Sequence, residues 1–129
     1  MKGFFYLATP YSAHPGGVET AFQEACLATA ELIRAGIPVF SPIAHTHPVG
    51  KAGRMDLGDS TIWLPADQPM MDAAVGVIVV RLPGWEKSHG IGYEIEVFKT
   101  AGKPVLYIDQ PASMPPSSVS RLIEKVGDR

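Results

Sequence analysis

Val75-Gly76-Val77-Ile78-Val79-Val80 decides the fold. A continuous, mostly β-branched run without a charge reads as a strand buried on both faces, the mark of a parallel sheet covered by helices. Leu82-Pro83-Gly84-Trp85 leaves it as a loop. Near the N-terminus, Phe4-Phe5-Tyr6-Leu7-Ala8 is a second apolar run, closed by Thr9-Pro10, and reads as another buried strand. Between these runs, Val18, Ala21, Phe22, Ala25, Cys26, Thr29, Leu32 and Ile33 recur at three- and four-residue spacing. That is an amphipathic helix, and Gly36 closes it. Ile37-Pro38-Val39-Phe40 is a short strand whose proline suits a sheet edge.

Residues 41–60 are polar and punctuated by Pro42, Pro48, Gly50, Gly53 and Gly58, so they are expected to form one long binding loop or lid. A helix is predicted over residues 61–74, and another from about Ser88 to Gly102, its closing glycine. Pro104-Val105-Leu106-Tyr107-Ile108 reads as a fourth strand. Beyond a proline-rich linker over 111–116, Ser117 or Ser118 can cap a last helix through Leu122, Ile123 and Val126. Strands alternating with helices predict a three-layer α/β sandwich with a flavodoxin- or Rossmann-like parallel sheet of four or five strands. In such sheets ligands bind beyond the carboxyl ends of the strands, where strand order reverses. The segments that follow the strands are therefore where function is expected.

The chain of 129 residues fits a single domain spanning 1–129, and 46% hydrophobic residues suffice for a core. A net charge of −2 argues against a nucleic-acid partner, which would call for a basic stripe. No run of 18 apolar residues is present, so no membrane span is expected. The single Cys26 precludes an internal disulfide and suits a reducing, cytoplasmic setting. Small molecules and copies of the same chain are the expected partners.

Gly84-Trp85-Glu86-Lys87-Ser88-His89-Gly90-Ile91-Gly92-Tyr93-Glu94 carries the chemistry. Gly90 and Gly92 lie where a loop turns into a helix, and unpaired amides at a helix start welcome an anion. Ser88 can donate to the same anion or cap the helix. Glu94 falls in the first turns, where the helix dipole favours an ionised carboxylate. The pattern is no Rossmann fingerprint, because Gly-Ile-Gly lacks the first-strand position and the following acid.

Tyr6-Leu7-Ala8-Thr9-Pro10-Tyr11 resembles the opening Tyr-Leu-Ala-Gly-Pro motif of the nucleoside 2-deoxyribosyltransferase superfamily. Gly84-Trp85-Glu86-Lys87-Ser88-x-Gly90-x-x-x-Glu94, followed by Gly102-Lys103-Pro104-Val105, resembles its nucleophile helix and next strand. The resemblance runs from Phe4 to Ile108 and is closest to small members with a Gly-Trp-x-x-Ser-x-Gly-x-x-x-Glu signature. It implies that Glu94 attacks the anomeric carbon to form a glycosyl-enzyme and that the Tyr6 hydroxyl orients it. Ser88 stands where free-nucleoside transferases carry aspartate and deoxynucleoside 5′-monophosphate N-hydrolases carry serine, which favours a phosphorylated substrate. Asp67 and Asp72 compete for the acid that helps the base leave. Many relatives have an aspartate at the start of the third strand, where this chain has Gly76.

The resemblance thus implies cleavage of the N-glycosidic bond of a nucleoside 5′-monophosphate without a cofactor, in a homodimer or homotetramer. Transfer of deoxyribose between bases and a non-catalytic nucleotide-binding module are the alternatives. A phosphoribohydrolase would carry a Gly-Gly-x-Gly-Thr motif, which the chain lacks. Thr9, Ser12 and His14 after the first strand, and Lys51 and Arg54 in the 41–60 segment, are further candidates to meet the ligand. His45-Thr46-His47 offers two histidines without a third ligand spaced to join them, so a metal site is disfavoured; the segment is either a plain loop or places His45 on the wall of a base pocket. Trp85 either stacks on the base or packs in the core.

Overall fold

β3 (Gly76–Val80) is buried at all five residues and lies in the middle of a four-stranded, all-parallel sheet of order β2-β1-β3-β4. The computed structural model describes residues 2–109. Its elements alternate: β1 (Phe5–Ala8), α1 (Val18–Arg34), β2 (Val39–Phe40), α2 (Pro42–Ala52), α3 (Ser60–Ala73), β3, α4 (His89–Thr100) and β4 (Val105–Ile108). A single 3-10 turn, Trp85–Lys87, leads into α4. The linker over 111–116 and the helix expected after it lie outside the described residues.

The strands pair in phase, Leu7 opposite Ile78 and Ile78 opposite Leu106. Because side chains alternate across a strand, each central strand feeds two cores. Phe5, Leu7, Ile78 and Val80 pack with Ala28 and Leu32 of α1 on one face. Tyr6, Ala8, Val77 and Val79 pack with Met71 of α3 and with Ile91 and Phe98 of α4 on the other. The result is a three-layer α/β sandwich with flavodoxin-like strand order. Among the described residues, no helix is long and apolar enough to cross a membrane.

β2 is the edge strand, as Pro38 suggests, and is only two residues long. The largest departure is at residues 41–60, where a helix stands in place of most of the expected loop. Ser41 accepts from the Ala44 amide as N-cap and Pro42 sits in the first turn, so this serine–proline pair starts a helix. Pro48 and Gly50 are carried within it. Gly50 is buried, and a Cβ there would stand 2.3 Å from Leu57 and 3.0 Å from Trp63. Close approach of α2 to the segment before α3 is what this glycine permits. α3 likewise carries Pro65 and Pro69. Gly76 is buried against Pro104 and Phe5 with no room for a side chain.

Candidate active site

β1 and β3 are neighbours in the sheet although β2 intervenes in the chain, so strand order reverses between them. A cavity of about 490 Å³ opens there, walled by the segments that follow β1, β2 and β3 and by α3. Its size suits a small organic ligand. The loops are locked together at Gly84, whose φ of +89° and close approach to the Ala13 carbonyl exclude a side chain. This contact sets the Ser88 segment against the residues after β1.

Each wall has its own character. Thr9, Tyr11 and Ser12 come from the β1 loop. Ser60, Trp63, Leu64 and Asp67 form one stripe of α3 at helical spacing, and Ile43, Thr46 and His47 come from α2. Lys87, Ser88, His89, Gly90 and Glu94 complete the cavity from the start of α4. The Trp63 indole is pinned by donating to the Asp56 carbonyl at 2.9 Å.

Ser88 is the N-cap of α4, and its Oγ accepts from the Ile91 amide at 3.2 Å. The serine hydroxyl hydrogen stays available to a ligand. The Gly92 amide donates to the Ser88 carbonyl at 3.1 Å, so it closes the first helical turn and cannot anchor an anion as expected. The amides of His89 and Gly90 have no such partner among the described residues and remain at the cavity rim. Lys87 beside them is a cation that the sequence reading passed over, although its place next to a capping serine is a legible sign of an anion site.

Glu94 is 8% exposed, with its side chain in the cavity. Burial pushes its carboxyl up to about 8; the Tyr6 hydroxyl, hydrogen-bonding to it, pulls the other way, and the charge of Asp67 adds to the rise. The helix dipole does not prevail here, contrary to expectation. Glu94 is six residues into the helix numbering from His89, and the dipole fades beyond the first turn. Burial also drives Tyr6 far above the ordinary phenol range, helped by Glu94 and Asp67, so Tyr6 remains a neutral donor. Asp67 is raised to about 6 by burial, with His45 pulling it down.

The other candidates fall out of or into place by geometry. Asp72 is exposed, accepts from Gln68 Nε2 at 2.8 Å, and does not line the cavity. Gln68 in turn accepts from the Tyr93 hydroxyl at 3.2 Å, so Asp72 belongs to a strap between α3 and α4. His45 is exposed and does not line the cavity, because two residues along a helix rotate by more than half a turn and it is His47 that faces inward. Trp85 stands edge-on to Tyr107 with ring centroids 6.1 Å apart and packs on the core, so the tryptophan of the cavity is Trp63. His14 is buried and held by Glu24 at 2.7 Å. Lys51 donates to Glu19 at 2.6 Å, outside the cavity, and Arg54 is not among its walls. Thr9 does line it, and its buried Oγ1 has no hydrogen-bond partner among the described residues. No cluster of three metal-ligating side chains occurs among the described residues.

Residues 3–110 match the model of the family described as Domain of unknown function (DUF1937), and the chain belongs to that family. The match takes in every element from β1 to β4. No curated protein matches the chain.

Proposed function

We propose that this family member is an N-glycosidase that releases the free base from a nucleoside or deoxynucleoside 5′-monophosphate, with Glu94 as nucleophile. The observation that carries the reading is Glu94 itself. It is a buried carboxyl in a cavity at the sheet's switch point, with a tyrosine hydroxyl beside it and a second carboxyl, Asp67, on the same cavity. The similarity of the Tyr6 and Glu94 segments to the nucleoside 2-deoxyribosyltransferase superfamily supports the same assignment.

The productive protonation state, with Glu94 ionised and the proton on Asp67, is the minority form of the singly protonated pair, because Glu94 at about 8 holds the proton more tightly than Asp67 at about 6. Glu94 attacks C1′ while the C1′–N bond breaks, its electron pair leaves with the base, and Asp67 gives the base its proton. Water then attacks C1′ and loses a proton to Asp67 as the C1′–Glu94 bond breaks, restoring both groups. Tyr6, a neutral donor, stabilises the ionised Glu94 from which the first step starts. Lys87, the Ser88 hydroxyl and the His89 and Gly90 amides suit a 5′ phosphate. Trp63, Leu57 and Leu64 suit a flat base. No cofactor or metal is part of this scheme.

A homodimer or homotetramer in a cytoplasmic setting belongs to the same reading. The experiment is incubation with nucleoside and deoxynucleoside 5′-monophosphates and free nucleosides, following free base by chromatography, with Glu94→Ala as control. Release from monophosphates, lost in the variant, supports the hydrolase. Release only from nucleosides supplied with a second base makes it a transferase. Binding without release makes it a nucleotide-binding module.

A further inference from the structure

We propose that Tyr11 is a specificity-determining residue, held by His47 and Glu19 so that its oxygen accepts a hydrogen bond from a sugar hydroxyl of the ligand. The inference deepens the nucleotide reading above and rests on it.

Tyr11 lines the cavity, and its hydroxyl lies 2.5 Å from His47 Nδ1. His47 is 2% exposed, with its ring stacked on Phe22 at 4.4 Å between centroids. Its other nitrogen, Nε2, lies 3.2 Å from Glu19 Oε1. The same oxygen accepts from Lys51 Nζ at 2.6 Å, and Lys51 foremost holds the Glu19 carboxyl below its ordinary range. Glu19 is therefore ionised and can only accept, so the hydrogen of a neutral His47 ring sits on Nε2. Nδ1 then presents a lone pair, and Tyr11 donates to it.

With its one hydrogen committed, Tyr11 offers the cavity only lone pairs. Burial, then the Glu19 charge, raises it above the ordinary phenol range, so it stays a neutral hydroxyl. Such a group reads only donors: an ionised phosphate has none to give, and its oxygens would meet the Tyr11 lone pairs unfavourably. The phosphate-suited groups lie at the start of α4, and the apolar wall of Trp63 and Leu64 lies on α3. Tyr11 shares the polar wall after β1 with Thr9 and Ser12, which suits the hydroxyls of the sugar.

The test is kcat/KM for base release from ribonucleoside, 2′-deoxyribonucleoside and 2′,3′-dideoxyribonucleoside 5′-monophosphates. Wild type is expected to prefer one hydroxylated form over its hydroxyl-free counterpart, and Tyr11→Phe to cut that preference about tenfold, as loss of one hydrogen bond would. The form whose advantage collapses identifies the hydroxyl. His47→Phe should mimic Tyr11→Phe, while His47→Asn, whose carboxamide oxygen can stand in for Nδ1, should keep most of the preference; a merely structural role would lower all three substrates together. Should His47→Phe fail to fold, Tyr11→Phe decides alone. An unchanged preference in Tyr11→Phe, or no preference in wild type, overturns this inference and leaves the nucleotide reading standing. No release from any of the three by wild type overturns that reading and this inference with it.

Discussion

Asp67 and Glu94 face one cavity, and the Asp67 charge drives the Glu94 carboxyl further up than burial alone does. Two carboxyls linked in this way titrate as a pair, with values of about 6 on Asp67 and about 8 on Glu94. Between those values the pair holds one proton, mostly on Glu94; the reactive form, with that proton on Asp67, is the minority tautomer and follows the same pH dependence. Below the window both groups are protonated and no nucleophile exists. Above it both are ionised and no acid exists. The kcat/KM for base release should therefore be bell-shaped, with its limbs near pH 6 and pH 8 and a fall of about tenfold per pH unit outside them. A profile flat from pH 5 to 9 would remove this pair from the mechanism.

Asp67→Asn should cost base release about 10²- to 10⁴-fold, the usual worth of a positioned general acid. Asp72→Asn should leave it within about twofold, because Asp72 binds Gln68 on an exposed helix face; surface changes of this kind are worth about 0.5 kcal/mol or less. Steady-state kinetics of the two variants side by side decides between the two acids.

How much of this was legible in the sequence differs from residue to residue. The Val77–Val80 stretch is central because nothing but a doubly buried strand can use four consecutive apolar residues with three of them valine, and Gly36 and Gly102 mark helix ends through their positive φ of +84° and +70°. Ser88 as N-cap, Tyr6 beside Glu94 and Asp67 on the α3 stripe all follow from local spacing or from the family resemblance. What was not legible depends on direction or on distance in the chain. Helix α2 was hidden by Pro48, Gly50 and Gly53, and its opening serine–proline pair reads equally as a turn. The exchange of Trp85 for Trp63 and of His45 for His47 depends on which way a helix is rotated. The Tyr11–His47 contact joins residues 36 apart, and no local pattern announces it.

Burial of Glu94 has a cost to stability that depends on pH. Its folded value of about 8 lies above the ordinary 4.5, so the native state holds the proton more tightly than the unfolded chain. The stability this provides is fully present below about pH 4.5 and is lost as pH rises to about 8. Glu94→Gln removes the dependence. The variant should be more stable than wild type at high pH, with a gap that widens from pH 5 to 8 and is at most about 5 kcal/mol, taking about 1.4 kcal/mol per pH unit. Urea denaturation at pH 5, 7 and 9 measures it, and a gap independent of pH would mean that Glu94 titrates normally.

Tyr6→Phe deletes the hydroxyl that lowers the Glu94 proton affinity. The pH profile of the variant should move upward and its maximum should fall about 10- to 100-fold, while the ring keeps its packing between Phe40 and Phe98. A lower maximum with an unmoved profile would make Tyr6 a packing residue only.

Thr9 bears a buried hydroxyl without a partner among the described residues, so Thr9→Val should not destabilise the chain and can raise its melting temperature. If the hydroxyl meets a ligand in the cavity, the same variant raises KM. Thermal unfolding and steady-state kinetics on one preparation separate the two effects.

The central claim is a covalent bond between Glu94 and the anomeric carbon. The most direct measurement is acid quenching of the chain during turnover of a deoxynucleoside 5′-monophosphate, followed by intact mass and peptide mapping. The account predicts an added deoxyribose 5-phosphate on the peptide containing Glu94, absent from Glu94→Ala. Release of free base by Glu94→Ala at the wild-type rate, with no sugar phosphate on any peptide, would contradict it.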